Sequence, residues 1–242
     1  MTFIVGIVCE TGLVICSDSR ETDGVSKRDV KKVRHYNRDR WGVAWACSGD
    51  TDIIKRFSDK MFQVLENEND DVDWSRLHEA IEFIAQSLHS KYKRAGLQIV
   101  VGLWTHHKKY ITRLCFLDVR QGNCLSVEEH YACAGMDTSL GRFVLESMYD
   151  PSCLITPAIT MAVFVTHLMK ETADGVGGPI QVVSCRLGKP GWGTYHRDDI
   201  DRLEEKYDTA EVRQMFVHYW GTRLFSLLPP KPLTSQTSKQ GQ

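Results

Sequence analysis

The tightest constraint on the fold is the order in which two hydrophobic periods alternate along the chain. Apolar runs of strand length open the sequence at once. Thr2 to Val8 and Leu13 to Cys16, with Gly12 between them, read as a hairpin starting at the first residues. Trp41 to Cys47 is a third such run. The period then changes: Ile53, Ile54, Phe57, Met61, Val64 and Leu65 share one helical face. After a charged break, Asp73 is placed to cap a second helix carrying Trp74, Leu77, Ile81, Ile84, Leu88 and Tyr92. Strand patterns return over Leu97 to Trp104 and Tyr110 to Asp118, around the polar tip Thr105 to Lys109, and again at Tyr131 to Ala134. Two helices follow, one near Thr138 to Tyr149 and one opened by Thr156 as N-cap and Pro157 at the first helical position. A strand pair, Ile180 to Leu187 and Gly193 to His196, and helices from about Asp198 and Thr209 complete the pattern.

This order, strand blocks separated by helix pairs, lacks βαβ alternation and so excludes a doubly wound parallel sheet. Near-continuous apolar strands predict sheets buried on both faces. The expected class is α+β, two stacked sheets with helices on both outer faces. It is expected to form one domain over residues 1–230, followed by a polar, disordered tail over 231–242.

Charge and cysteine usage narrow the function. A formal net charge of −1 without a Lys/Arg block removes the electrostatic footprint of a nucleic-acid binder. The eight cysteines contain no C-x-x-C pair and lie mostly in apolar runs, as buried free thiols of a reducing compartment do. The longest apolar segment, Ala158 to Met169, is interrupted by Thr160, Thr166 and His167 and falls short of the roughly 20 residues that cross a bilayer. No basic, apolar leader precedes the first strand. A cytoplasmic protein with neither membrane nor nucleic-acid partners is expected.

Common site motifs are absent: no G-x-G-x-x-G, phosphate loop, H-E-x-x-H or G-x-S-x-G. His106-His107 sits on a hairpin tip beside two lysines and reads as solvated loop. Cys47 is the best-placed thiol, but a buried packing role suits it better. The start of the chain remains. Excision of Met1 before a small residue would expose Thr2, whose α-amine titrates near about 7.7–8.0 and can take the hydroxyl proton as Oγ attacks a carbonyl. A lysine nearby would keep that amine neutral, a carboxylate would hold the lysine, and backbone N–H groups would stabilise the oxyanion.

Thr2 alone is weak evidence, but its surroundings strengthen it. Thr2 to Val8, Gly12-Leu13-Val14-Ile15 and Ser17-Asp18-Ser19-Arg20 resemble the opening of proteasome β subunits and of the bacterial HslV peptidase, with Gly12 and Asp18 in register from Thr2. Val30-Lys31-Lys32-Val33 looks like the family's V-K-K-V, which carries the catalytic lysine over to Lys32, with Lys31 as the alternative. Ser48-Gly49-Asp50-Thr51-Asp52 resembles S-G-x-A-A-D, which gives the oxyanion-hole N–H to Gly49, or to Ser48 if the match is anchored on Asp52. Asp174-Gly175-Val176-Gly177-Gly178 looks like D-x-x-S-G-G, with Asp174 as a partner for the N-terminal amine. The family's serine there is missing, and its G-S-G turn is replaced by Ala134 to Ser139, leaving Ser139 as the nearest supporting hydroxyl. The likeness runs from Thr2 to about Tyr207 and is also similar to Anbu, the bacterial ancestral β branch.

The resemblance implies a four-layer αββα N-terminal-nucleophile hydrolase. It implies a threonine endopeptidase with Thr2, Asp18, Lys32 and Gly49 as its site, working as a homo-oligomeric ring on unfolded protein or peptides. An ATPase unfoldase is an implied partner, and the mechanism requires no metal or organic cofactor. Two alternatives stay open: a catalytically inactive structural subunit that retains Met1, and an amidase acting on small amides. An α-type subunit, which carries an extra N-terminal helix before the first strand, is not the expected reading.

Overall fold

The computed structural model describes residues 2–23, 26–92, 96–106, 109–120 and 125–207. β1 (Phe3–Cys9) and β2 (Gly12–Ser17) form the expected hairpin around Gly12. They lie inside an antiparallel sheet ordered β10 (Tyr131–Gly135), β1, β2, β11 (Gln181–Arg186), β12 (Lys189–Thr194). The second sheet runs β5 (Val33–Asn37), β6 (Trp41–Gly49), β7 (Leu97–His106), β8 (Tyr110–Asp118), β9 (Ser126–Glu128), also antiparallel. Between β2 and β5 the chain forms a two-stranded ribbon, β3 (Arg20–Asp23) and β4 (Ser26–Asp29).

Side-chain alternation divides the core. Ile4, Leu13 and Ile15 of the first sheet meet Val33, Ala44, Ala46, Val100 and Leu114 of the second in a shared core. The other face of the second sheet, through Val43, Trp45, Ile99 and Val101, packs beneath α1 (Thr51–Asn67) and α2 (Trp74–Lys91) by way of Phe57, Met61, Leu77 and Ile81. The outer face of the first sheet takes α3 (Thr138–Met148) and α4 (Ile155–Thr172): the Phe3 ring lies against Gly141, and Cys16 Sγ is 3.2 Å from Thr166 Oγ1. The layers run helix, sheet, sheet, helix, the expected αββα sandwich. α5 (Arg197–Tyr207) follows β12.

Caps explain where the helices start. Asp50 accepts the N–H groups of Asp52 and Ile53 at the head of α1, and Asp73 accepts that of Arg76 in α2, the latter as expected. α4 differs from expectation. It begins at Ile155, so Thr156 is not the N-cap and Pro157 is the third helical residue. Proline is still tolerated there because N–H groups of the first turn have no helical acceptor. The Ile155 N–H is instead accepted at 2.9 Å by Thr11 Oγ1, from the β1–β2 turn.

β12 starts at Lys189, not Gly193. It is an edge strand, where Pro190 removes no ladder bond that the sheet needs. β3, β4, β5 and β9 were not expected. The compact unit carrying the site runs from Met1 to Glu204, and a second unit follows from Glu205. The helix expected from Thr209, the domain limit at 230 and the tail over 231–242 lie outside the described residues, as does His107; His106 stacks on the Tyr110 ring.

Candidate active site

Thr2 immediately precedes β1, an interior strand, and this fixes its place. It is 8% exposed, and Phe3 after it is fully buried. The Thr2 carbonyl accepts the Met136 N–H at 2.9 Å, and Gly135 lies directly against it at φ +98°; any Cβ on Gly135 would run into the Thr2 carbonyl oxygen. Gln98 of β7 holds this turn from the other sheet. Its Oε1 accepts the Gly135 N–H at 2.8 Å while its Nε2 donates to Asp118 Oδ2 at 3.0 Å.

Below Thr2 lies a buried ion pair. Lys32 Nζ is 2.8 Å from Thr2 Oγ1 and 3.1 Å from each oxygen of Asp18, and it also donates to the Arg20 carbonyl. Asp18 is fully buried at the end of β2 and accepts the N–H groups of Phe3 (3.0 Å) and Gly177 (3.1 Å). Burial pushes the Lys32 ammonium below the ordinary lysine range, against the opposing pull of the Asp18 carboxylate.

Lys32 lies just before β5, in a connection that Gln181 fastens. Gln181 Oε1 accepts the N–H groups of Lys32 (2.9 Å) and Val33 (3.1 Å), and Nε2 donates to the Val30 carbonyl at 2.6 Å. One glutamine at the start of β11 thus supplies three backbone hydrogen bonds to the segment that delivers the lysine. Neither Gln98 nor Gln181 was singled out from the sequence; the available signal was a lone amide in an otherwise apolar strand, which must find partners when buried.

Thr2 and Lys32 open onto a cleft of about 690 Å³ that Ser48, Gly49, Gln98, Gly135 and Met136 also line. Gly49 ends β6 at φ +140°, pressed against the Gly96 carbonyl oxygen so closely that no Cβ fits. Of the paired lysines, Lys32 reaches the threonine, whereas Lys31 is exposed on the cleft wall. Cys47 lines the cleft, but burial pushes its thiol up to about 12, which keeps it protonated.

Two of the expected supporting residues are not brought to the site. Asp174 is exposed in the loop after α4 and does not line the cleft; from that segment it is the Gly177 N–H that reaches Asp18. Ser139 is exposed in the first turn of α3, and the approach to Thr2 is made by the backbone of Gly135 and Met136. A hydroxyl, an ammonium and a fully buried carboxylate therefore stand in line at the mouth of a cleft, an arrangement suited to activating the hydroxyl as a nucleophile.

Solved structures share the fold. An Anbu Gly-1 mutant from Hyphomicrobium sp. strain MC1 superposes with a TM-score of 0.73 at 14% identity, over 91% of this chain and 100% of that one. Anbu, the ancestral beta-subunit, from Yersinia bercovieri gives 0.70 at 12%, over 96% and 99%. The Anbu complex of Pseudomonas aeruginosa, described as a helical assembly, gives 0.70 at 11%, also over 96% and 99%. A search of curated protein sequences finds no match. The family profile for proteasome subunits matches residues 2–184, well over half of the sequence, and the chain belongs to the proteasome subunit family.

Proposed function

We propose that the protein is a threonine-type peptidase whose nucleophile is Thr2 once Met1 has been removed. The observation that carries this reading is the 2.8 Å contact between Lys32 Nζ and Thr2 Oγ1, with Asp18 behind it, at the mouth of the cleft. The freed α-amine takes the Oγ proton, directly or through a water, as Oγ bonds to the substrate carbonyl carbon. The Gly49 or Ser48 N–H stabilises the oxyanion. When the C–N bond breaks, the proton passes to the leaving amine and an ester on Thr2 remains. Water, deprotonated by the same amine, then hydrolyses that ester. Lys32 lowers the proton affinity of the amine and hydroxyl through its charge, and Asp18 orients Lys32.

Family membership and the fold shared with Anbu support a self-assembling subunit. A closed ring and an open helix are the two ways in which head-to-tail contacts can end, and electron microscopy of the purified protein separates them. Unfolded polypeptides as substrates, an ATPase that feeds them and a cytoplasmic location complete the reading. Among the described residues no helix is long and apolar enough to cross a membrane.

Intact mass before and after a peptide epoxyketone tests the nucleophile, because that warhead needs both a free N-terminal amine and the adjacent hydroxyl. Loss of one methionine and a single adduct, absent in Thr2→Ala, is the expected result. The absence of Asp174 and Ser139 from the cleft lining favours a second reading, a structural subunit that keeps Met1. Retained methionine without an adduct would establish that one instead.

A further inference from the structure

The chemistry at Thr2 leaves several charged side chains in the same cleft unused. Two cations have partners: Arg28 Nε lies 2.6 Å from Glu21 Oε2, and Arg120 is 3.1 Å from Asp118. Lys31, Arg34 and Lys55 also line the cleft and have no hydrogen-bond or ion-pair partner among the described residues. Glu21 is taken up by Arg28 and by the Thr51 hydroxyl at 2.8 Å, so the carboxylate left in the lining beside these three cations is Asp59.

Arg34 is the best placed of the three. Val33 faces the core between the sheets, so alternation along β5 turns Arg34 to the opposite side, where α1 lies. It stands opposite Trp45 on β6, half-buried, with the buried Cys47 and Ser58 lining the cleft beside it. Its charge is felt at the Cys47 sulfur, opposing the upward push of burial on that thiol. Arg34 is two residues from Lys32, about 6–7 Å along an extended chain, and both line the cleft that holds Thr2. No carboxylate is bonded to Arg34 among the described residues, so its guanidinium is open to a substrate carboxylate in the bidentate geometry that arginine offers.

We propose that this part of the cleft selects an acidic side chain, glutamate or aspartate, on the residue whose carbonyl Thr2 attacks. The proposal rests on the threonine-nucleophile reading for the position of the scissile bond, but not for the binding of the side chain. Lys31 and Lys55 are exposed, and their salt-screened field adds little to the selection that Arg34 makes.

The test uses fluorogenic peptides identical except for Glu, Gln, Leu or Arg before the scissile bond. The corresponding product acids are titrated calorimetrically into Thr2→Ala. Glutamate is expected to exceed glutamine about tenfold in kcat/KM and in product affinity at low ionic strength, with the ratio shrinking as salt is added. Arg34→Gln should bring the ratio to about one, and Arg34→Glu should reverse the preference toward arginine. Equal handling of Glu and Gln by the wild type, a preference that survives Arg34→Gln, or no binding of any product acid overturns the proposal. If nothing is cleaved but Thr2→Ala binds the glutamate product selectively, the nucleophile reading fails and the acidic pocket stands. Cleavage without preference has the opposite meaning.

Discussion

Replacing Asp18 by asparagine exchanges one buried oxygen for an NH2 group at constant size. Each carboxylate oxygen accepts one backbone N–H and the Lys32 ammonium: Oδ1 from Phe3 and Lys32, Oδ2 from Gly177 and Lys32. No orientation of an amide meets that demand, because its NH2 must point at a backbone donor and a cation on one side or the other. Two bonds to a charged acceptor are lost, each worth about 1.5–3 kcal/mol. The cation left behind is almost buried, its side chain 8% exposed. Breaking a buried pair in this way costs about 3–5 kcal/mol, and that is the expected loss at pH 7.

Urea unfolding followed by tryptophan fluorescence, at one fixed protein concentration because assembly shifts the midpoint, measures it. A second signature separates this account from a general packing defect. Asp18 opposes the downward shift of Lys32, so in the variant the folded-state pKa of the lysine falls further. Between that lowered value and the unfolded value of about 10.4, the unfolded chain binds more protons, and stability rises with pH. The gap between variant and wild type should therefore narrow as pH rises. A loss below about 1 kcal/mol, or a gap that does not change with pH, would refute the reasoning.

With a free amine on Thr2, kcat/KM should follow a bell. It rises through the amine's ordinary value of about 7.7–8.0 or lower, and falls as Lys32 loses its proton below the usual lysine value of about 10.4; a pH–rate profile checks both limbs. Gln181→Ala removes all three bonds that hold the Lys32 segment and should lower kcat about tenfold or more with KM little changed. Gln181→Glu, which keeps the acceptor but not the donor, should recover part of that loss in the same kinetic comparison. Burial pushes Cys16, Cys47, Cys115, Cys133 and Cys185 up to about 12, so iodoacetamide at pH 8 should label the half-exposed Cys153 well before any of these five in the native protein. Peptide mapping reads the order, and early modification of Cys47 would contradict the buried-thiol account.

The layers were legible because periods 2 and 3.6 are imposed by burial. β1, β2, β6, β7 and β8 and the faces of α1 and α2 are where the hydrophobic pattern puts them. β3, β4 and β5 were not legible. Ser26–Asp29 is exposed at every residue, and the ribbon is held by its backbone ladder and the cross-strand Arg28–Glu21 pair, neither of which leaves an apolar trace. At the candidate site, Thr2, Asp18 and Lys32 were carried over from the resemblance, and the structure brings the three together. Asp174 and Ser139 were carried over by motif position, and a position in a motif does not say whether a loop turns its side chain or its backbone inward. Gly177 shows the second case, with its N–H on Asp18. The capping of α4 by Thr11 links residues about 140 apart, beyond the reach of any local rule.

β1 pairs on one side with β2, its neighbour in the chain, and on the other with β10, so Phe3 faces Gly135 across the ladder. During synthesis the second partner does not exist until about 130 residues have followed, which at about 5–20 residues per second takes on the order of ten seconds. Over that interval the segment ahead of β1 hangs from a hairpin whose two edges are both open, β11 being made later than β10, and a processing aminopeptidase can reach it. Once β10 docks, Gly135 and Met136 close over the Thr2 carbonyl and access from that side ends. On the threonine-nucleophile proposal, this topology would set a schedule for the chain, with trimming of Met1 first and closure of the sheet second. On that proposal a chain that folds with an affinity tag ahead of Thr2 would miss the first step, so tags belong at the other end.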